Sequence, residues 1–227
     1  MNIILSYGLT ILAVIITIGA QFFVSSSYKK YSAVLNKKKI SGRDIAKHIL
    51  EKHGLSDVYV VETTGYLSDH YDPTRKVVRL SKDIFNGETI AAASVAAHEC
   101  GHALQDKDGY SFMRIRSMLV PFVNFSSYAG YIAIVIGILF QSIDIIWLGI
   151  GLEIVILLFQ LVTLPVEIDA SKRALEELEK DHLLVDGELK QSKTMLTAAA
   201  MTYVASVATA VLEIVRLILI YGNQDRD

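Results

Sequence analysis

The sequence predicts a mainly α, polytopic membrane protein with about four transmembrane helices and a small cytoplasmic α+β portion. Three observations predict it. Apolar residues make up 52% of the 227, with a mean hydropathy of +0.40. The charged 20% is concentrated outside a few long apolar runs. Lys and Arg also fall on alternate sides of those runs, as the distribution of positive charge across a membrane requires.

Residues 3–24 form the first run and carry no charge. At about 1.5 Å per helical residue the run crosses a hydrocarbon core roughly 30 Å thick. Only Met1 and Asn2 precede it and the basic residues follow it, the reverse of a signal peptide, so it is expected to stay as an anchor. Lys29, Lys30, Lys37, Lys38, Lys39, Arg43 and Lys47 come next with only Asp44 opposing them, which assigns residues 25–117 to the cytoplasm. Within that region, Ser41 and Asp44 resemble a capping box. They open a helix carrying Ile45, Ile49 and Leu50 that stops near Gly54. Residues 58–62 and 76–80 read as strands flanking a turn-like stretch at 68–73, and 76–80 is expected to offer an edge to an extended substrate. Asn86-Gly87-Glu88 reads as a helix start, and 89–105 continues as an Ala-rich helix.

Residues 118–140 and 145–165 form two further spans joined by a four-residue turn without Lys or Arg. Residues 166–194 return to the cytoplasmic side with Lys172, Arg173, Lys180, Lys190 and Lys193, and 195–221 is the fourth apolar segment. It contains Glu213 and Arg216, so an amphipathic interfacial helix is the alternative to a full span. Glu153, in the third span, matches Arg216 in depth. Because a lone charge there costs roughly 2.5–3.5 kcal/mol, the two are expected to pair, with a proton or ion path as the alternative.

The net charge of -2 and pI near 6.3 give no electrostatic footprint for nucleic acid. The single cysteine, Cys100, cannot form an intramolecular disulfide, which suits a reduced compartment. Oligomeric state leaves no mark on the sequence.

His98-Glu99-Cys100-Gly101-His102 carries the chemistry. On a helix, histidines four apart point the same way and can share one Zn2+, while the intervening glutamate lies about 100° round and reaches a water on the metal. Cys100 faces away and reads as a small buried residue. Gly101 costs about 1 kcal/mol relative to Ala in a helix, tolerable if a backbone must approach there. A catalytic zinc needs a third protein ligand, and two candidates compete. Asp108 stands six residues after His102, but Gln105 occupies the position where that geometry wants a glycine. Glu167 follows Pro165 on the same predicted side of the membrane.

Ala97-His98-Glu99-Cys100-Gly101-His102-Ala103-Leu104-Gln105, the stretch Asp69-His70-Tyr71-Asp72-Pro73 and the span pattern resemble the YugP-type neutral zinc metallopeptidases of bacterial membranes, over nearly the whole chain. More distantly the chain is similar to HtpX and the CAAX prenyl proteases, gluzincins with a two-span hairpin between the motif and a ligand glutamate. That resemblance implies Glu167 as third zinc ligand, with Asp169 or His182 as further alternatives. Those relatives commonly carry an acid four residues after the ligand; here Ser171 stands there, so Ser171 or Asp169 is expected to orient an imidazole.

The expectation is then a multi-pass zinc metalloendopeptidase of the cell membrane, its active site facing the cytoplasm and its substrate a membrane or membrane-proximal polypeptide. One zinc per chain is expected. Water on zinc has a pKa near 7, so Glu99 can take its proton and pass it to the leaving amine. His70, Tyr71, Arg173 and His182 are candidate donors to the developing oxyanion. An intramembrane site-2-type protease and a non-catalytic zinc-bound scaffold are the alternatives. The first conflicts with the apolar stretch before His98, which is too short to cross a bilayer.

Overall fold

A computed structural model describes residues 3–65 and 67–222. Met1 and Asn2, which precede the first apolar run, lie outside the described residues. The order of elements is α1 (Ile3–Ser32), α2 (Gly42–Lys52), β1 (Tyr59–Thr63), β2 (His70–Asp72), β3 (Val77–Ser81), α3 (Lys82–Phe85), α4 (Ile90–Lys107), α5 (Ser111–Leu139), α6 (Ile143–Lys180) and α7 (Asp186–Tyr221). The chain is mainly α, and α1, α5, α6 and α7 are long and apolar enough to cross a membrane. Each is longer than the run read from sequence. In particular α6 continues through Pro165, giving up only the hydrogen bond that proline cannot donate.

The chain divides into two compact units. One comprises residues 1–21, 114–164 and 202–227. In it α5 and α6 form a hairpin through Gln141, whose φ of +52° turns the chain sharply. Glycines set how closely these helices approach: a Cβ on Gly149 would lie 2.5 Å from Ile134 Cγ1, and one on Gly137 2.6 Å from Ile146 Cγ1. Ile146, Ile150, Ile214 and Leu217 form a small buried cluster, while Ile11, Ile15, Ile18, Phe122 and Phe125 are exposed, as side chains facing lipid are. Here the structure corrects one expectation. Arg216 Nε donates to Glu213 Oε2 at 2.9 Å, within α7, rather than to Glu153. Residues three apart on one helix meet without two helices having to register, and the local pair wins.

The other unit comprises residues 22–113 and 165–201. Ser41 caps α2 as expected, its Oγ accepting from Asp44 N at 3.2 Å, and α2 buries Ile45, Ala46, Ile49 and Leu50 against the Ala-rich α4. The strands begin one residue later than predicted, and the stretch read as a turn contains β2. The turn itself comes after β2, where Asp72 Oδ1 accepts from the backbone of Thr74 and Arg75. Sheet order is β1-β3-β2, with β1 parallel and β2 antiparallel to β3. The 76–80 strand is therefore central and offers no edge; the edges are β1 and β2. Helix α4 begins at Thr89, whose side chain accepts from Ala92 N, and Asn86 instead closes the short α3.

Candidate metal centre

The Ala-rich composition of α4 lets α6 come against it. Gly101 is the point of contact: a Cβ there would sit 2.5 Å from the Ala170 carbonyl oxygen, so the two backbones meet with no side chain between them. That contact brings Glu167, one turn before Ala170, opposite His98 and His102. Glu167 Oε2 is 3.2 Å from His98 Nε2 and 3.7 Å from His102 Nε2. One ligand atom from each of the three lies within 4.8 Å of the others. The group is enclosed, with Glu167 4%, His102 7% and Glu99 8% exposed.

The atoms behind the imidazoles fix how they are presented. Ser171 Oγ lies 3.2 Å from His98 Nδ1. Behind His102, Gln105 Oε1 is 3.0 Å from Nδ1, while Gln105 Nε2 donates to Val166 O at 2.7 Å and to Asp169 Oδ2 at 2.9 Å. Both of those partners only accept, so Gln105 Oε1 must face His102, and Nδ1 must be the donor. Arg173 holds Asp169 from Nε at 2.7 Å and reaches Asp108 from Nη1 at 2.5 Å. Ser171 and Asp169 thus both serve the imidazoles, one directly and one through an amide that the sequence reading treated only as a missing glycine. The sequence offers only the local part of this, a glutamine three residues after His102.

This arrangement fits a divalent cation. With Nδ1 of His102 committed as donor, its Nε2 faces a buried carboxylate and needs a proton or a metal ion between them. Burial pushes the His102 pKa down, but Glu167 and the nearby Glu99 charge outweigh it and hold the imidazole above its ordinary value, so the pocket favours positive charge. Two imidazole nitrogens and one carboxylate oxygen are the donor set of a catalytic zinc site with a fourth position left for water or substrate.

Other predicted residues lie elsewhere. Asp108 caps the end of α4 and pairs with Arg173 instead of joining His98, His102 and Glu167. Cys100 is fully buried 3.6 Å from the Ala46 carbonyl, and burial pushes its thiol up, as for a small core residue. His182 is exposed in the turn between α6 and α7. His70 is exposed on β2 beside the Ser68 carbonyl, and Tyr71 donates to Asp106 Oδ2 at 2.9 Å.

An H-E-x-x-H helix set against a glutamate from a later helix, in a chain with four membrane-spanning helices, defines the class of multi-pass membrane metallopeptidases. The chain belongs to the family described as "Putative neutral zinc metallopeptidase", whose model matches residues 6–222. It is 41% identical over 215 residues to "Putative membrane protease YugP" of Bacillus subtilis (strain 168), covering 95% of this chain and 96% of that protein. No solved structure matches the chain.

Proposed function

We propose that the protein is a zinc endopeptidase of gluzincin type that hydrolyses membrane or membrane-proximal polypeptides at the cytoplasmic face. The observation that carries this reading is the enclosed group of His98, His102 and Glu167, with Glu99 buried on the same helix. His98, His102 and Glu167 hold one zinc ion, and Ser171 and Gln105 hold the two imidazoles in orientation. Zinc, when bound, supplies a Lewis acid that polarises the peptide carbonyl and acidifies water. Glu99 accepts the proton as the water oxygen bonds to the carbonyl carbon, then delivers it to the amine nitrogen as the C–N bond breaks. Substrate pairs along the outer edge of β2, the edge strand that Tyr71 ties to α4 through Asp106.

The cytoplasmic assignment rests on the lysines that follow the first apolar run and on Lys172, Lys180, Lys190 and Lys193, at the end of α6 and the start of α7. A site-2-type intramembrane reading is disfavoured because α4, which carries both histidines, is not one of the four long apolar helices. Glu99→Gln tests the mechanism directly. Full zinc content with cleavage of an unfolded membrane-protein substrate reduced by at least about 100-fold is expected. Undiminished cleavage by the variant would sink the assignment, and zinc retention without any wild-type cleavage would point to a scaffold.

A further inference from the structure

In the unit of residues 22–113 and 165–201, a cavity of about 800 Å³ opens beside the end of α1. Ser25, Tyr28, Lys29 and Ser32 line one wall, a single helical face at i, i+3, i+4 and i+7. Lys82 and Asp83 of α3 also line it, so the lining carries two cations and one anion. Neither lysine is in an ion pair among the described residues, and the Ser32 hydroxyl is buried with no hydrogen-bond partner. A buried hydroxyl left without a partner destabilises the fold, so a ligand that could satisfy it would be favoured there.

Position identifies the ligand. The uncharged run 3–24 ends one residue before Ser25, which puts the cavity at the boundary of water and hydrocarbon. The loop that follows is fixed, with Asn36 N donating to Glu88 O and Ile90 N donating to Val34 O, each at 2.8 Å. It holds Leu35 61% exposed between Lys29 and Lys30 on one side and Lys37, Lys38 and Lys39 on the other. An apolar side chain held outward among lysines suits an anionic bilayer surface.

We propose that this cavity seats the headgroup of an anionic, hydroxyl-bearing glycerophospholipid. The phosphodiester lies between Lys29 and Lys82 with Ser32 donating to it, Asp83 accepts from a headgroup hydroxyl, and the acyl chains run along α1 past the exposed Phe22. Delipidated full-length protein in neutral detergent, titrated with phosphatidylglycerol and followed by native mass spectrometry, tests this. Lys29→Gln with Lys82→Gln is expected to weaken binding about 30-fold, and zinc content equal to wild type will show that the fold is intact. Ser32→Leu, which adds bulk to the cavity wall and removes the hydroxyl, is expected to exclude the lipid by itself. Lys38→Gln with Lys39→Gln, outside the cavity, is expected to leave it bound. Equal loss in the outer pair would reduce the site to diffuse surface charge and overturn the proposal. So would equal binding of phosphatidylcholine, unchanged binding by both cavity variants, or inorganic phosphate binding as tightly as the lipid, which would mark a soluble-anion site.

Discussion

Gln105 uses every polar atom it has. Its oxygen faces His102 and its two amide hydrogens go to Val166 and Asp169, so it can neither flip nor rotate without leaving a buried group unpaired. Through it, the Asp169–Arg173–Asp108 chain sets the tautomer of an imidazole that none of the three touches. Gln105→Leu should therefore lower zinc affinity by roughly 10–100-fold in chelator competition, while His98, Glu99 and Glu167 stay in place. Unchanged zinc retention would mean that His102 is oriented by packing alone. The histidines and Glu99 were legible because their relation is local: four residues make one turn. The role of Gln105 was not, because it depends on the Val166 carbonyl and the Asp169 carboxylate, more than 60 positions away and met only when α6 folds onto α4.

At the scale of elements, α2 is tied to the far end of α6. Lys52 Nζ bridges Glu177 at 2.9 Å and Asp181 at 2.7 Å, and His48 Nε2 lies 2.6 Å from Asp181. The hydrogen bond from Lys52 is the main cause that holds the Asp181 carboxyl below its ordinary value, helped by His48. A carboxylate lowered in the folded state stabilises it above the unfolded pKa and loses that contribution as pH falls through the lowered one. Asp181→Asn should then melt below wild type at pH 7, by no more than the 1 kcal/mol or so of a partly exposed pair, and the gap should close in acid. A gap that persists at pH 2 would indicate lost packing instead. The helices were foreseen from apolar runs and the Ser41 cap, whereas their ends were not. Thr89 outcompeted Asn86 as the α4 cap because Asn86 was already closing α3. The strand β2 was hidden by Asp72 and Pro73, which signal a turn that begins just where the strand stops.

For the molecule as a whole, the lysine pattern makes a statement about sidedness that cysteine chemistry can check. Cys100 is the single cysteine and is buried, so Cys100→Ser gives a background for introduced thiols. Ser142→Cys, in the α5–α6 turn, should react with a membrane-impermeant maleimide in intact cells, and Lys38→Cys only after permeabilisation. The reverse pattern would place the zinc site outside. The number of spans was readable because a bilayer sets the length of an apolar helix; the meeting of α4 with α6 was not, since small residues announce closeness without naming a partner.

The Gly101 contact with Ala170 has a further consequence for how such a protein is made. On the function proposed above, His98 and His102 are synthesised before α5, and Glu167 arrives only after the α5–α6 hairpin has been translated. Until that hairpin turns back across the bilayer, His98 and His102 hold an incomplete set and Glu99 has nothing to act upon. On that reading the site is complete only once the hairpin has been inserted.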